Sequence, residues 1–86
     1  MASGHWVVNA FDAYAIWTIR QRPDPDEKAF VVNWLAQCEA GGPPEDASVD
    51  DKQNYTAHAG RCEFYYRRFD LPGRDPAGYI LVMEIR

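Results

Sequence analysis

Pro23-Asp24-Pro25 and Gly41-Gly42-Pro43-Pro44 bracket a segment that has little choice of fold. Neither Pro23 nor Pro25 can donate a backbone hydrogen bond inside a helix, so one helix must stop before them and another can start only there. Asp24 suits the N-cap, Pro25 the first helical position, and Asp26 and Glu27 place negative charge where the helix dipole favours it. Phe30, Val31, Trp34, Leu35 and Cys38 then recur on one face up to about Ala40, and the glycine pair with its two prolines ends the helix. The rest of the chain has to be arranged around this amphipathic rod.

Upstream, His5–Ala10 is short, β-branched and aromatic, and predicts a strand. From Phe11 to Arg22, the positions Phe11, Tyr14, Ala15 and Thr18, with Ile16 and Ile19 beside them, fit one face of a first helix. A continued strand through Ile16–Ile19 is the competing reading. Downstream, Gly41–Gln53 (GGPPEDASVDDKQ) is an acidic, proline-bearing segment expected to be a flexible loop. Tyr55–His58 and Cys62–Phe69 then flank a tight turn at Ala59-Gly60-Arg61, and Leu71–Gly78 is rich in turn residues. The last strand, Tyr79–Arg86, is almost continuously apolar, which predicts a central strand covered on both faces. The expected fold class is therefore α+β: two N-terminal helices packed on a small, mainly antiparallel sheet, in the order β-α-α-β-β-β.

With 86 residues, positions 1–86 make one domain and one core. Folding at this size buries only about 60–65% of the unfolded chain's surface, so the 14% of aromatic residues must supply much of that core. No apolar run approaches the roughly 20 residues of a membrane span. Asn9 and Asp12 interrupt the run at Trp6–Phe11, which argues against a signal peptide. Cys38 and Cys62 are too few for a disulfide framework, and no CxxC or Cys/His cluster points to zinc. The expectation is a cytoplasmic protein with reduced thiols and neither metal nor cofactor. The formal charge of −4 is unevenly spread: residues 1–51 carry three basic and nine acidic groups (−6), residues 52–86 six basic and four acidic (+2). Two faces with different partners are implied, and the overall sign is wrong for most nucleic-acid binders.

The helical pair Phe11–Arg22 and Asp26–Ala40, the hairpin pattern YTAHAGRCEFYY at Tyr55–Tyr66 and the closing YILVMEIR at Tyr79–Arg86 together resemble the RelE/ParE toxin superfamily. The resemblance spans most of the chain through element order and pattern. It implies a toxin, or toxin-derived protein, of a toxin–antitoxin pair. Such a protein acts on translation by ribosome-dependent mRNA cleavage or on DNA gyrase, and is held by an antitoxin-like segment wrapping the helices and the sheet edge. In the cleaving branch, cations stabilise the charge that develops when a 2′-hydroxyl attacks phosphate. By position, Arg61 lies beside the family's hairpin arginine, with Cys62 strictly in register. Arg86 matches the basic residue closing the last strand, and Lys52 a basic position before the hairpin. The acidic balance departs from the strongly basic cleaving members, which leaves the gyrase-type and inactive branches open.

Arg61, Arg86 and His58 are thus the candidate catalytic groups, His58 because it sits two residues before the turn glycine and titrates near neutral pH. Lys52, Tyr65, Arg67, Arg68 and Arg74 are the candidate binding groups. Strand alternation sends Arg67 and Arg68 to opposite faces, and Tyr65 and Tyr66 likewise, so each pair splits between two environments. The plainer reading pairs the arginines with Asp70 or Asp75 and packs one tyrosine in the core. Glycine-rich phosphate loops, serine elbows and EF-hand spacing are absent from the sequence. The alternative to a toxin is a non-enzymatic interaction module whose aromatic sheet, or its exposed edge, binds a protein.

Overall fold

The computed structural model describes residues 4–86. Their order is β1 (Trp6–Asn9), α1 (Phe11–Gln21), α2 (Pro25–Gly41), β2 (Ser48–Val49), β3 (Tyr55–Ala59), β4 (Cys62–Asp70) and β5 (Gly78–Ile85). The chain is α+β, with the expected succession of elements and one addition, the two-residue β2 inside the acidic segment. One five-stranded sheet runs β1-β5-β4-β3-β2, with β1 parallel to β5 and every other pair antiparallel. Among the described residues, no helix is long and apolar enough to cross a membrane.

Helix α2 starts as its sequence dictates. Glu27 N–H donates to Asp24 Oδ1 at 2.8 Å and Asp24 N–H to Glu27 Oε1 at 3.4 Å, a reciprocal capping box ahead of Pro25. Val31, Trp34 and Cys38 are the buried stripe. Trp34 stacks on Phe64 of β4 with ring centroids 3.9 Å apart and planes 8° from parallel; Tyr66 lies tilted against the same indole and stacked on Tyr55. This row of rings is the centre of the core. Phe30, expected on the buried stripe, is instead half-exposed, set against Gly60 of the β3–β4 turn.

Helix α1 forms over the expected residues, which removes the reading of Ile16–Ile19 as strand, and it ends at Arg22 in a left-handed conformation. Its buried face differs from the expected one. Ala13 and Trp17 point inward, Tyr14 is half-buried, Ile16 and Ile19 are exposed, and Phe11 is 80% exposed. The largest apolar side chain decides the rotation: burying Trp17 removes more apolar surface than burying Phe11, and the small Ala13 one turn earlier lets the helix approach β5.

Both helices cover the same face of the sheet, the face carrying Ala57, Phe64, Tyr66, Ile80, Val82 and Ile85. Tight contact sets the composition where β1 meets β5. Trp6 faces Gly78 in register, and its ring lies where a Cβ at 78 would have to be. At the hairpin, Gly60 takes a φ of +59° at the first turn position, a conformation glycine adopts without strain. The closing strand corrects one expectation. β5 is central, between β1 and β4, but it is covered on one face only: Ile80 and Val82 are buried while Tyr79, Leu81 and Met83 are exposed.

Candidate functional site

The uncovered face is built by alternation. With Phe64, Tyr66, Ile80 and Val82 turned to the helices, their neighbours Tyr65, Arg67, Tyr79 and Leu81 must turn away. Register lines these up in rows. Val7, Tyr79 and Phe69 lie opposite one another across β1, β5 and β4; Asn9, Leu81 and Arg67 form the next row. Phe69, Tyr79 and Leu81 are 50%, 44% and 41% exposed, and Val7 is similar. Together with Tyr65 they present on the order of 400 Å² of mostly apolar surface, within the range of the largest patch on a monomer.

A charged cluster closes one end of this face. Between Tyr65 and Tyr66 the β4–β5 register slips, so that Tyr65 faces Glu84, Tyr66 faces Val82, and Met83 is left over as a bulge. The bulge keeps both Val82 and Ile85 inward and turns Glu84 outward. Beyond it, Glu63 and Arg86 exchange both backbone hydrogen bonds at 2.8 Å. Arg86 Nη1 stands 3.5 Å from Glu63 Oε1, Arg86 Nε 3.5 Å from Glu84 Oε1, and the guanidinium carbon lies 5.2 Å from the Tyr65 ring centroid. Across the hairpin, His58 Nδ1 is 3.5 Å from Glu63 Oε2. His58, Tyr65 and Arg86, three of the sequence-predicted residues, are therefore brought together, along with Glu63 and Glu84, which sequence reasoning missed. The Gly60-Arg61 turn pairs Ala59 with Cys62 and His58 with Glu63. That hairpin register was the available signal for Glu63. Nothing in the sequence marked the slip that delivers Glu84.

The remaining predicted residues are scattered. Arg61 sits at the hairpin turn in a groove of about 330 Å³ shared with Asp24, Asp26, Glu27 and Phe30, a predominantly acidic setting separate from Arg86. Arg67 is on the uncovered face, donating from Nε to Asn54 Oδ1 at 2.8 Å. Arg68 is on the helix side, its guanidinium carbon 5.2 Å from the Trp6 ring and 5.5 Å from the Tyr55 ring, with Nε donating to Asp70 Oδ1 at 2.9 Å. Burial opposes its charge, but the hydrogen bond and attraction of Asp70 outweigh that and hold its pKa above the ordinary value. Arg68 is thus a packing cation. Lys52 belongs to the Asp50–Asn54 turn, where Asp50 Oδ1 accepts from the backbone N–H groups of Asn54 and Lys52, both at 2.9 Å. Those bonds hold the Asp50 carboxyl below its usual range. Arg74 lies in the β4–β5 connection, its N–H on Leu71 O at 3.0 Å. Arg67 and Arg68 thus fall on opposite faces as alternation predicts, and turns place Lys52, Arg61 and Arg74 apart from both.

The chemistry available at the cluster is limited. Arg86 is a cation between two carboxylates, so little of its charge is free for a phosphate. The thiols offer no nucleophile. Burial pushes Cys38 up to about 12, with Glu39 adding to it, and raises Cys62 as well, so both stay protonated near neutral pH. Burial likewise lifts Tyr66 to about 12, and its hydroxyl has no hydrogen-bond partner among the described residues. Among those residues, no group of three or more His, Cys, Asp or Glu side chains is placed to hold a metal ion.

Compared with known proteins, no family model matches the chain, and neither a curated protein nor a solved structure matches it.

Proposed function

We propose that the chain is a protein-interaction module that docks through the uncovered face of its sheet. The observation that carries this reading is β5: its sequence is apolar on both faces, yet the fold covers only one. Tyr65, Phe69, Tyr79 and Arg67 are residue types enriched in the buried centres of interfaces. The carboxylates around Arg86 argue for recognition over cleavage, since phosphate chemistry needs cations left free. The setting is the cytoplasm, where Cys38 and Cys62 remain reduced.

Site-specific photo-crosslinking tests this. A photoreactive phenylalanine analogue in place of Leu81 should crosslink to protein in cells, whereas the same analogue in place of Phe11 on the helix side should not. Crosslinks from position 81 to RNA alone, or none at all, would overturn the reading.

A second reading is favoured by the succession of β1, two helices on one face and a meander closing at a basic residue, which is what the resemblance to the RelE/ParE superfamily implies. In it the protein is a toxin, or derives from one, acting on translation or on gyrase, with an antitoxin-like segment as its partner. The convergence of His58, Tyr65 and Arg86 supports it; the isolation of Arg61 does not. Controlled induction in a bacterial host separates the two: arrest by the wild type and rescue by Arg61→Ala/Arg86→Ala favours the toxin, and growth in both cases disfavours it.

A further inference from the structure

We infer that the occupant of the uncovered sheet face is a second copy of this chain, set face to face across a two-fold axis. This rests on the reading of that face as a docking surface and names its partner. Charge carries the choice. The fixed charges on the face are Glu63, Glu84, Arg67 and Arg86, which sum to zero, so the whole formal charge of −4 lies on other surfaces. Two copies approaching through their helices would bring like charges together. Approaching through the sheets, they meet at a neutral surface and keep the acidic helix layers on the outside. A basic partner would gain attraction on the helix side and none here.

Size agrees. A standard interface buries about 800 Å² on each partner, a little over half of it apolar. The roughly 400 Å² of apolar surface here, rimmed by Arg67, Glu84 and Arg86, is close to that share. Face-to-face sheets pack about 10 Å apart with side chains interdigitating, which would bury Leu81 and Tyr79 of both copies at the centre. The covering that the apolar pattern of β5 calls for is then supplied by the same strand of another copy, as an isologous contact requires.

Sedimentation velocity on the full chain, from low to several hundred micromolar, tests the assignment. The expected result is a concentration-dependent shift from 9.8 kDa to twice that mass. Leu81→Asp should weaken the dimer by about 30-fold or more, and Phe11→Ser should leave it intact. Circular dichroism checks that Leu81→Asp is folded, and Tyr79→Ser serves in its place if it is not. A monomer at every concentration, or a dimer that survives both sheet variants and dissociates with Phe11→Ser, would overturn the inference. A monomer that still crosslinks from position 81 to a different protein overturns the second copy alone. A monomer with crosslinks only to RNA, or with none, overturns the docking face as well.

Discussion

The two faces of the sheet share the same strands and the same twist, yet only one is finished. On the inner face Phe64, Tyr66 and Ile80 are sealed under Trp34 and Val31; on the outer face Phe69, Tyr79 and Leu81 stand in the open. Side-chain chemistry separates the faces only in part: the outer one mixes Phe69, Tyr79 and Leu81 with Arg67, Glu63 and Glu84, but its apolar row is as aromatic as the buried one. What separates them is the pair of helices, and both lie on one side. A chain of this length has enough helix to cover one face of a five-stranded sheet, and the other face is left to whatever meets it.

The largest test of this contrast is a matched pair of truncations. Phe64→Ala removes the ring stacked on Trp34 and should cost about 3–5 kcal/mol, enough to unfold much of a domain this small. Tyr79→Ala, one strand away on the outer face, should stay within about 0.5 kcal/mol at concentrations where the chain is monomeric. Urea unfolding monitored by tryptophan fluorescence measures both, and equal costs would break the contrast.

A smaller effect is expected at high pH, and only from the inner face. The folded chain holds the Cys38 thiol and the Tyr66 hydroxyl protonated up to about 12, whereas the unfolded chain releases these protons near 9.0 and 10.0. A raised pKa contributes stability that is whole below the unfolded value and is lost as pH rises toward the folded one. The melting temperature should therefore fall between about pH 9 and 12. Tyr66→Phe should flatten part of that decline and, by removing a buried hydroxyl without a hydrogen-bond partner, leave stability at pH 7 equal or higher. A steeper decline in the variant would count against the assignment.

The smallest effect concerns the cover itself. Asp24→Ala removes the capping box and should destabilise the fold by about 1 kcal/mol, read as a lower urea midpoint with an unchanged slope. A greater loss would mean that α2 holds the inner face less by packing than by its start.

Much of this architecture is legible in the sequence. The bounds of α2 follow from Asp24-Pro25 and the glycines at 41 and 42, because caps and prolines act locally. The strands around Gly60 and the closing apolar run were legible for the same reason. Rotation of α1 was not. Trp17 is the largest single group on α1, but Phe11, Ile16 and Ile19 form a competing apolar stripe, and the choice between them is made against the strand that α1 packs on. The one-sided cover of β5 was hidden too, since apolar alternation reports that a strand resists water, not which molecule excludes it. At the candidate site, His58, Tyr65 and Arg86 could be picked out one at a time. Their grouping depended on the hairpin register and on the bulge at Met83, which come from pairing between strands distant in sequence.

The sheet order has a temporal side. The β3–β4 hairpin can close as soon as it is made, but β1 pairs only with β5, and Trp6 finds Gly78 only after the intervening helices and strands have been translated. At about 5–20 residues per second, the first strand leads its partner by several seconds. During that interval Trp6, Val7 and Val8 form an apolar stretch without its partner strand, so β5 is also the element that ends the exposure of β1.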